Sequence, residues 1–260
     1  VGIGLMDQPM TLLQAVFQLR RTRSSVVRPE AAATAANASK YKDLAKLTAA
    51  LRCVSVGTSI EVGEGMVFFN WATMQMAAKI VYYGPGLCGK TSNLSFIYAK
   101  TSPNSRGEMV SLETESDRTL FFDLLPIEVG TIGGFKTRLQ LYTVPGQVFY
   151  NTTRKLVLKG VDGLVFVADS QRPMREANIE SFESLVDNLT ELGLDVRELP
   201  LVLQYNKRDL KNILAVDELN TDLNSERAYP FFEAQAINGV GVFETLKEIT
   251  KLTLKKLRRR

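Results

Sequence analysis

Apolar and polar residues follow no sustained period over the first 65 positions and become regular from about residue 66 onward. In the regular part, short β-rich runs alternate with helical patterns. AAKIVYYG, RTLFFDLLPIEV, FKTRLQLYTV, GLVFVADS, PLVLQYN and YPFFEAQA each have the length and β-branched or aromatic content of a strand. NLSFIYAK, the stretch Ala177–Leu192 and the amphipathic segment Val240–Leu257 carry helical spacing. GTIGGF joins the second and third runs and has the turn chemistry of an antiparallel hairpin. Strands separated by helices form a largely parallel sheet. The expectation is therefore an α/β domain with a six-stranded sheet, one antiparallel pair, and helices on both faces.

The first 65 residues do not extend this pattern. Ala31–Ala36 is nearly all alanine and RRTRSSVVRPE is a mixed basic stretch, with no closed set of caps in either. The expected organisation is an N-terminal extension, residues 1–65, followed by one domain over residues 66–260 with a basic C-terminal tail. Glu61–Gly65, just before Met66, would be encoded by purine-rich codons much like a ribosome-binding site. A start placed too early, so that untranslated upstream sequence is read as protein, is the expected origin of the extension. A disordered arm is an alternative, and so is a targeting peptide, which the five acidic residues of the segment disfavour.

Composition narrows the chemistry. No apolar run approaches the roughly 18–20 residues of a membrane span, so no transmembrane segment is expected. Two cysteines, Cys53 and Cys88, are too few for a disulfide framework and suggest a reducing cytoplasm. The chain has no histidine. Histidine triads, HExxH zinc sites and imidazole acid–base catalysis are therefore excluded, and any hydrolysis must work by positioning and electrostatics. The net charge is +4, with six basic residues in the terminal KLTLKKLRRR. Such a tail can touch nucleic acid or anionic lipid, but cations at a helix C-terminus also serve the helix itself. The helical role is the expected one, without a nucleic-acid partner.

The strongest chemical signal lies between the first strand and the first helix. Gly84-Pro85-Gly86-Leu87-Cys88-Gly89-Lys90-Thr91-Ser92 contains G-x-x-x-x-G-K-[ST]. Its glycines let backbone N–H groups converge as an anion nest at a helix N-terminus. Lys90 would reach the β- and γ-phosphates of a nucleotide, and the Thr91 hydroxyl would ligate Mg²⁺. Cys88 is either a small packed residue of this loop or a redox group. After PLVLQY comes Asn206-Lys207-Arg208-Asp209. Guanine presents N1–H and an exocyclic amine side by side, and the Asp209 carboxylate can accept both. Adenine would leave that carboxylate unpaired, and such hydrogen-bonding sites discriminate strongly. Lys207 can lay its methylene stem over the base, and Asn206 can tie this loop to the phosphate loop. Gln235-Ala236 can add a backbone N–H to guanine O6.

These motifs carry a family resemblance. From Met66 to about Leu257 the chain resembles the Ras-like small GTPases, a branch of P-loop NTPases, and within them the MglA-like polarity GTPases of gliding motility. The marks are KIVYYGPGLCGKT, SDRTLFFDLLP, LYTVPGQVFY, LKGVDGLVFVADSQ and QYNKRDL. The resemblance implies a GTP/GDP switch that gathers at a cell pole, acts on polar effector proteins in gliding or type IV pilus activity, and is accelerated by an MglB-like Roadblock-fold protein. It also implies catalytic roles for Lys90, Arg118 and Gln147. Arg118 would spread positive charge onto the γ-phosphate, and Gln147 would orient the attacking water. Read without the resemblance, Arg118 is a surface partner of Asp117 or Glu115, and Gln147 is an exposed loop residue. Thr119 fits a switch threonine that contacts Mg²⁺ and the γ-phosphate, and Gly146 can offer its N–H to that phosphate.

Thr143 departs from the general Ras pattern, in which a carboxylate at this position holds a Mg²⁺-bound water. Asp123 on the neighbouring strand could supply the charge, or it could be an outward-facing acid. A non-hydrolysing guanine-nucleotide scaffold is the alternative function, and a general P-loop ATPase is disfavoured by NKRD.

Overall fold

The computed structural model describes residues 68–70, 72–113, 119–146, 150–226 and 228–258. The expected boundary at residue 65 lies outside the described residues. Among the described residues eight strands form one sheet: β1 Phe68–Asn70, β2 Gln75–Tyr83, β3 Val110–Glu113, β4 Thr119–Ile132, β5 Phe135–Thr143, β6 Gly163–Asp169, β7 Leu201–Asn206 and β8 Phe231–Glu233. Five α-helices accompany them among the described residues: α1 Lys90–Lys100, α2 Asn151–Leu158, α3 Arg175–Glu191, α4 Val216–Leu223 and α5 Val242–Leu257. The six expected strands and the hairpin are present, the latter as β4 and β5 around Gly133-Gly134. Two short strands enlarge the sheet, because β1 pairs antiparallel with β2, and β3 antiparallel with β4.

The strand order is β3-β4-β5-β2-β6-β7-β8, with β1 pairing β2 off that path. β2 pairs parallel with β5 on one side and with β6 on the other. The chain therefore leaves β2 at a point where its neighbours diverge, and a crevice opens at the carboxyl ends of such strands. The Gly84–Gly89 loop leaves β2 at that place.

Pleating divides the core. Successive side chains of a strand point to opposite faces. Val81 and Tyr83 of β2 accordingly join Phe166, Leu203 and the apolar faces of α2, α3 and α4, through Leu158, Leu185 and Leu219. Ile80 and Tyr82 join Val165, Val202 and the apolar faces of α1 and α5, through Leu94, Ile97, Val242 and Ile249. All seven residues of β6 are buried, as suits a strand covered on both faces. Phe166 meets the Phe182 ring edge-on at a centroid distance of 5.0 Å, which adds to its area burial.

One titrating group sits at the edge of this core. The Lys79 ammonium donates to the Lys159 carbonyl at 2.9 Å and lies 4.7 Å from the Tyr142 ring centroid. Burial lowers its pKa to about 8 from 10.5, partly opposed by the charge of Asp162. A base whose folded pKa is depressed binds more protons when unfolded, so its effect on stability becomes more favourable as pH rises. Wild type is expected to gain stability relative to Lys79→Met between pH 8 and 10.5, by at most about 1.4 kcal/mol per pH unit. Urea titrations of both proteins across that window check this; parallel curves contradict it.

Candidate nucleotide site

The phosphate-loop motif occupies the turn between β2 and α1, and its geometry follows from close backbone approaches. Gly89 has φ +100°, and a Cβ there would stand 2.2 Å from Asn206 Nδ2. Glycine is required on both counts. Leu87 also has a positive φ, 60°, and is 62% exposed at the loop tip. Ser92 is exposed on the first turn of α1, while Cys88 is fully buried. Burial pushes the Cys88 thiol pKa up, which disfavours thiolate chemistry and supports the packing role.

The Lys90 ammonium is buried, donating to the carbonyls of Gly84 at 3.0 Å and Pro85 at 2.6 Å. Desolvation holds its pKa below the usual lysine range. A cation in this setting gains from an anion placed beside it.

Asn206 performs the tie expected of it. Its Nδ2 donates to the Cys88 carbonyl at 2.8 Å, and its Oδ1 accepts from the Ala236 N–H at 2.9 Å. One buried amide thus joins the phosphate loop, the end of β7 and the loop after β8. That last loop is closed by Gln235, whose N–H donates to Val240 O while its carbonyl accepts from Asn238 and Gly239. Lys207 has φ 66° and pairs with Asp169 at 2.6 Å. Asp209 is exposed beside it. Arg208 fixes this turn from behind, with its N–H on Ala234 O and its guanidinium on Glu233.

Asp123 is fully buried, and its Oδ2 accepts from both Thr91 Oγ1 and Thr143 Oγ1, each at 2.7 Å. Its Oδ1 accepts from Ser111 Oγ. Its backbone N–H in turn donates to Thr143 Oγ1 at 2.9 Å, so β4 and β5 clasp each other in both directions. The outward-facing reading of Asp123 is therefore incorrect. Leu125 and Ile127 continue the same face of β4 into the core under α1 and α5, and pleat parity puts Asp123 there with them.

Gly146 lies against the phosphate loop. A Cβ on it would stand 2.3 Å from Gly86 Cα and 2.4 Å from Gly86 N. Thr119 begins β4, and its side chain lies outside the described residues, as do Arg118 and Gln147. The structure therefore brings the phosphate loop together with Asn206, Ala236, Gly146 and Asp123.

Three supporting features are absent from the sequence reading. Asp169 is the acid that ends the apolar run GLVFVA, and that position is the signal by which it could be found. Asn93 and Gln204 exchange amide hydrogen bonds at 2.8 and 3.0 Å beneath the loop, and Gln204 also donates to Thr245. Arg154 is 2% exposed on α2 and donates to the carbonyls of Pro145 and Gly146.

Comparison with known proteins agrees with this geometry. Residues 79–211 match the Gtr1/RagA G protein conserved region. The chain is 57% identical over 194 residues to mutual gliding-motility protein MglA of Myxococcus xanthus, covering 75% of this chain and 99% of that protein. It is 26% identical over 180 residues to the human Ras-related protein Rab-7b, covering 68% of this chain and 82% of that one.

Removing the Asn206 amide leaves the Cys88 carbonyl and the Ala236 N–H without this partner. Each unsatisfied buried group costs about 1–3 kcal/mol. Asn206→Ala is expected to lower unfolding free energy by an amount in that range, measured by urea denaturation without nucleotide. A loss below about 0.5 kcal/mol, the scale of an ordinary surface change, contradicts the tie.

Proposed function

Because this chain belongs to the MglA-like small GTPases, we propose that it is a GTP/GDP switch that controls cell polarity and surface motility through gliding or type IV pili. In this reading, residues 66–260 form the GTPase domain. It turns over slowly alone and faster with an MglB-like Roadblock-fold activator, and its GTP form recruits polar effector proteins at a cell pole. The observation that carries the reading is the Asn206 tie, which holds a phosphate loop and a guanine-type loop at one crevice.

The residues divide the work. Backbone N–H groups of Gly86–Gly89 and the Lys90 ammonium bind the phosphates. Asp209 accepts from the guanine edge, Lys207 covers its face, and Ala236 offers its N–H to O6. Gly146 donates its N–H to the γ-phosphate. Gln147 orients the attacking water, and Arg118 offsets the charge that grows on the phosphoryl oxygens, an effect worth roughly 10³–10⁵ in rate elsewhere. No side chain here is a strong base, so positioning and charge supply the acceleration.

The residues also fit Mg²⁺. A buried carboxylate facing three hydroxyls, with no ion pair among the described residues, is a set of hard oxygen donors. Thr91 and Thr119 would hold the ion, with Asp123 supplying the negative charge that Thr143 lacks. When bound, Mg²⁺ neutralises charge on the β- and γ-phosphates.

Two measurements test the proposal. GTP turnover, with and without a Roadblock-fold activator, is expected to rise with the activator and to fall at least about 100-fold in Arg118→Ala and Gln147→Ala. Binding without stimulated turnover would instead select a non-hydrolysing scaffold. Asp123→Asn is expected to raise the Mg²⁺ concentration needed for half-maximal GTP binding by about tenfold or more. An unchanged Mg²⁺ requirement in a folded Asp123→Asn protein removes Asp123 from the metal site.

A further inference from the structure

Arg154 is a buried cation without a carboxylate among the described residues. Its Nε donates to Pro145 O at 3.0 Å and its Nη2 to Gly146 O at 2.7 Å. At the rear, Nη1 reaches Ser184 Oγ at 3.2 Å and Tyr83 OH at 3.4 Å. Those two hydroxyls meet at 3.2 Å, and Asn188 Nδ2 donates to both. The guanidinium thus spans from α2 to β2 and α3, and grips two consecutive carbonyls of the loop that precedes Gln147. Its positive charge is also felt at Lys90, where it opposes the ammonium.

We propose that Arg154 is a positioning residue that sets the direction of the Gly146 N–H, and thereby makes the site prefer a nucleoside triphosphate over a diphosphate. The inference rests on the GTP-switch reading above. A peptide group is planar, so a carbonyl and the following N–H point in opposite directions. Fixing Pro145 O toward Arg154 therefore fixes the Gly146 N–H away from it, and Gly146 itself is pressed against Gly86. A planar fork with donors at fixed angles can hold two neighbouring carbonyls at once; an ammonium on a flexible stem holds them as a point charge. A diphosphate has no γ-phosphate to meet this amide, so loosening it costs triphosphate binding and turnover selectively.

The test uses the full chain and measures GDP affinity, affinity for a non-hydrolysable GTP analogue, turnover and thermal midpoint. Arg154→Lys keeps the charge and loses the fork. It is expected to fold, to hold GDP within about twofold, and to lose about tenfold or more in analogue affinity and in turnover, the scale of one charge-assisted hydrogen bond. The double variant Tyr83→Phe/Ser184→Ala leaves Arg154 in place but frees its rear; a smaller loss with the same selectivity is expected. Equal losses for both nucleotides together with a lowered midpoint would mean that Arg154 only holds the fold, and would overturn the inference. So would folded variants with the wild-type affinity ratio and turnover. Should Arg154→Lys fail to fold, the double variant decides by the same two criteria. A wild-type protein that binds neither nucleotide would reject the switch reading itself, a result distinct from any of these.

Discussion

A carboxylate with no exposure to water must be solvated by something, and at Asp123 that role falls to three hydroxyls on three different elements. Thr91 comes from the start of α1, Ser111 from β3 and Thr143 from the end of β5. The requirement fixes where α1 begins relative to the sheet and how far β4 and β5 can slide. Slipping the hairpin by one residue would send Asp123 to the opposite face, leaving a buried charge without donors, among the costliest errors a core can contain. The Asp123–Thr143 clasp therefore sets register as well as charge. Thr143 forgoes the negative charge usual at its position and in exchange holds the strand that carries one.

The crevice above this clasp is formed by topology rather than by any one residue. β2 is flanked by β5 and β6, both parallel to it, so the loop that leaves β2 has Gly146 on one side and the end of β7 beyond the other. Asn206 then needs only one amide to bind both the Cys88 carbonyl and the Ala236 N–H. Beneath it, the Asn93–Gln204–Thr245 chain satisfies the buried polar groups that such a loop brings with it.

Much of this was readable in the chain, and the failures have local causes. KIVYY and GLVFVAD announce buried strands because both of their faces are apolar. GKT and NKRD announce a site because their spacing places backbone donors and a carboxylate at strand ends. The strands Phe68–Asn70 and Val110–Glu113 escape such reading, since three or four residues become a strand only through their partner. Helix Asn151–Leu158 escapes because NTTRKLVL is short and places an arginine on its buried face beside Val157 and Leu158. The side of β4 on which Asp123 lies could not be decided without the pleat parity that Leu125 and Ile127 provide. Arg154 was hidden for the same reason as its helix: its partners are main-chain carbonyls, which carry no sequence signature.

The distribution of charge suits the crevice of a histidine-free chain to a ligand that carries both signs of charge. Lys90 and Arg154 are both buried, and each is satisfied by neutral carbonyl or hydroxyl oxygens, with no ion pair to either among the described residues. Each oppositely charged neighbour would have cancelled the field that these cations project. Carbonyl partners supply hydrogen bonds while leaving the net positive charge in place. Asp123 stands on the other side of the same logic, an anion solvated by hydroxyls and free to pair with a cation. Lys90 and Asp123 therefore remain unpaired with each other in buried positions, where electrostatic interactions are stronger than in water. A polyphosphate with its metal ion is the kind of ligand that brings both charges at once, anion toward Lys90 and cation toward Asp123.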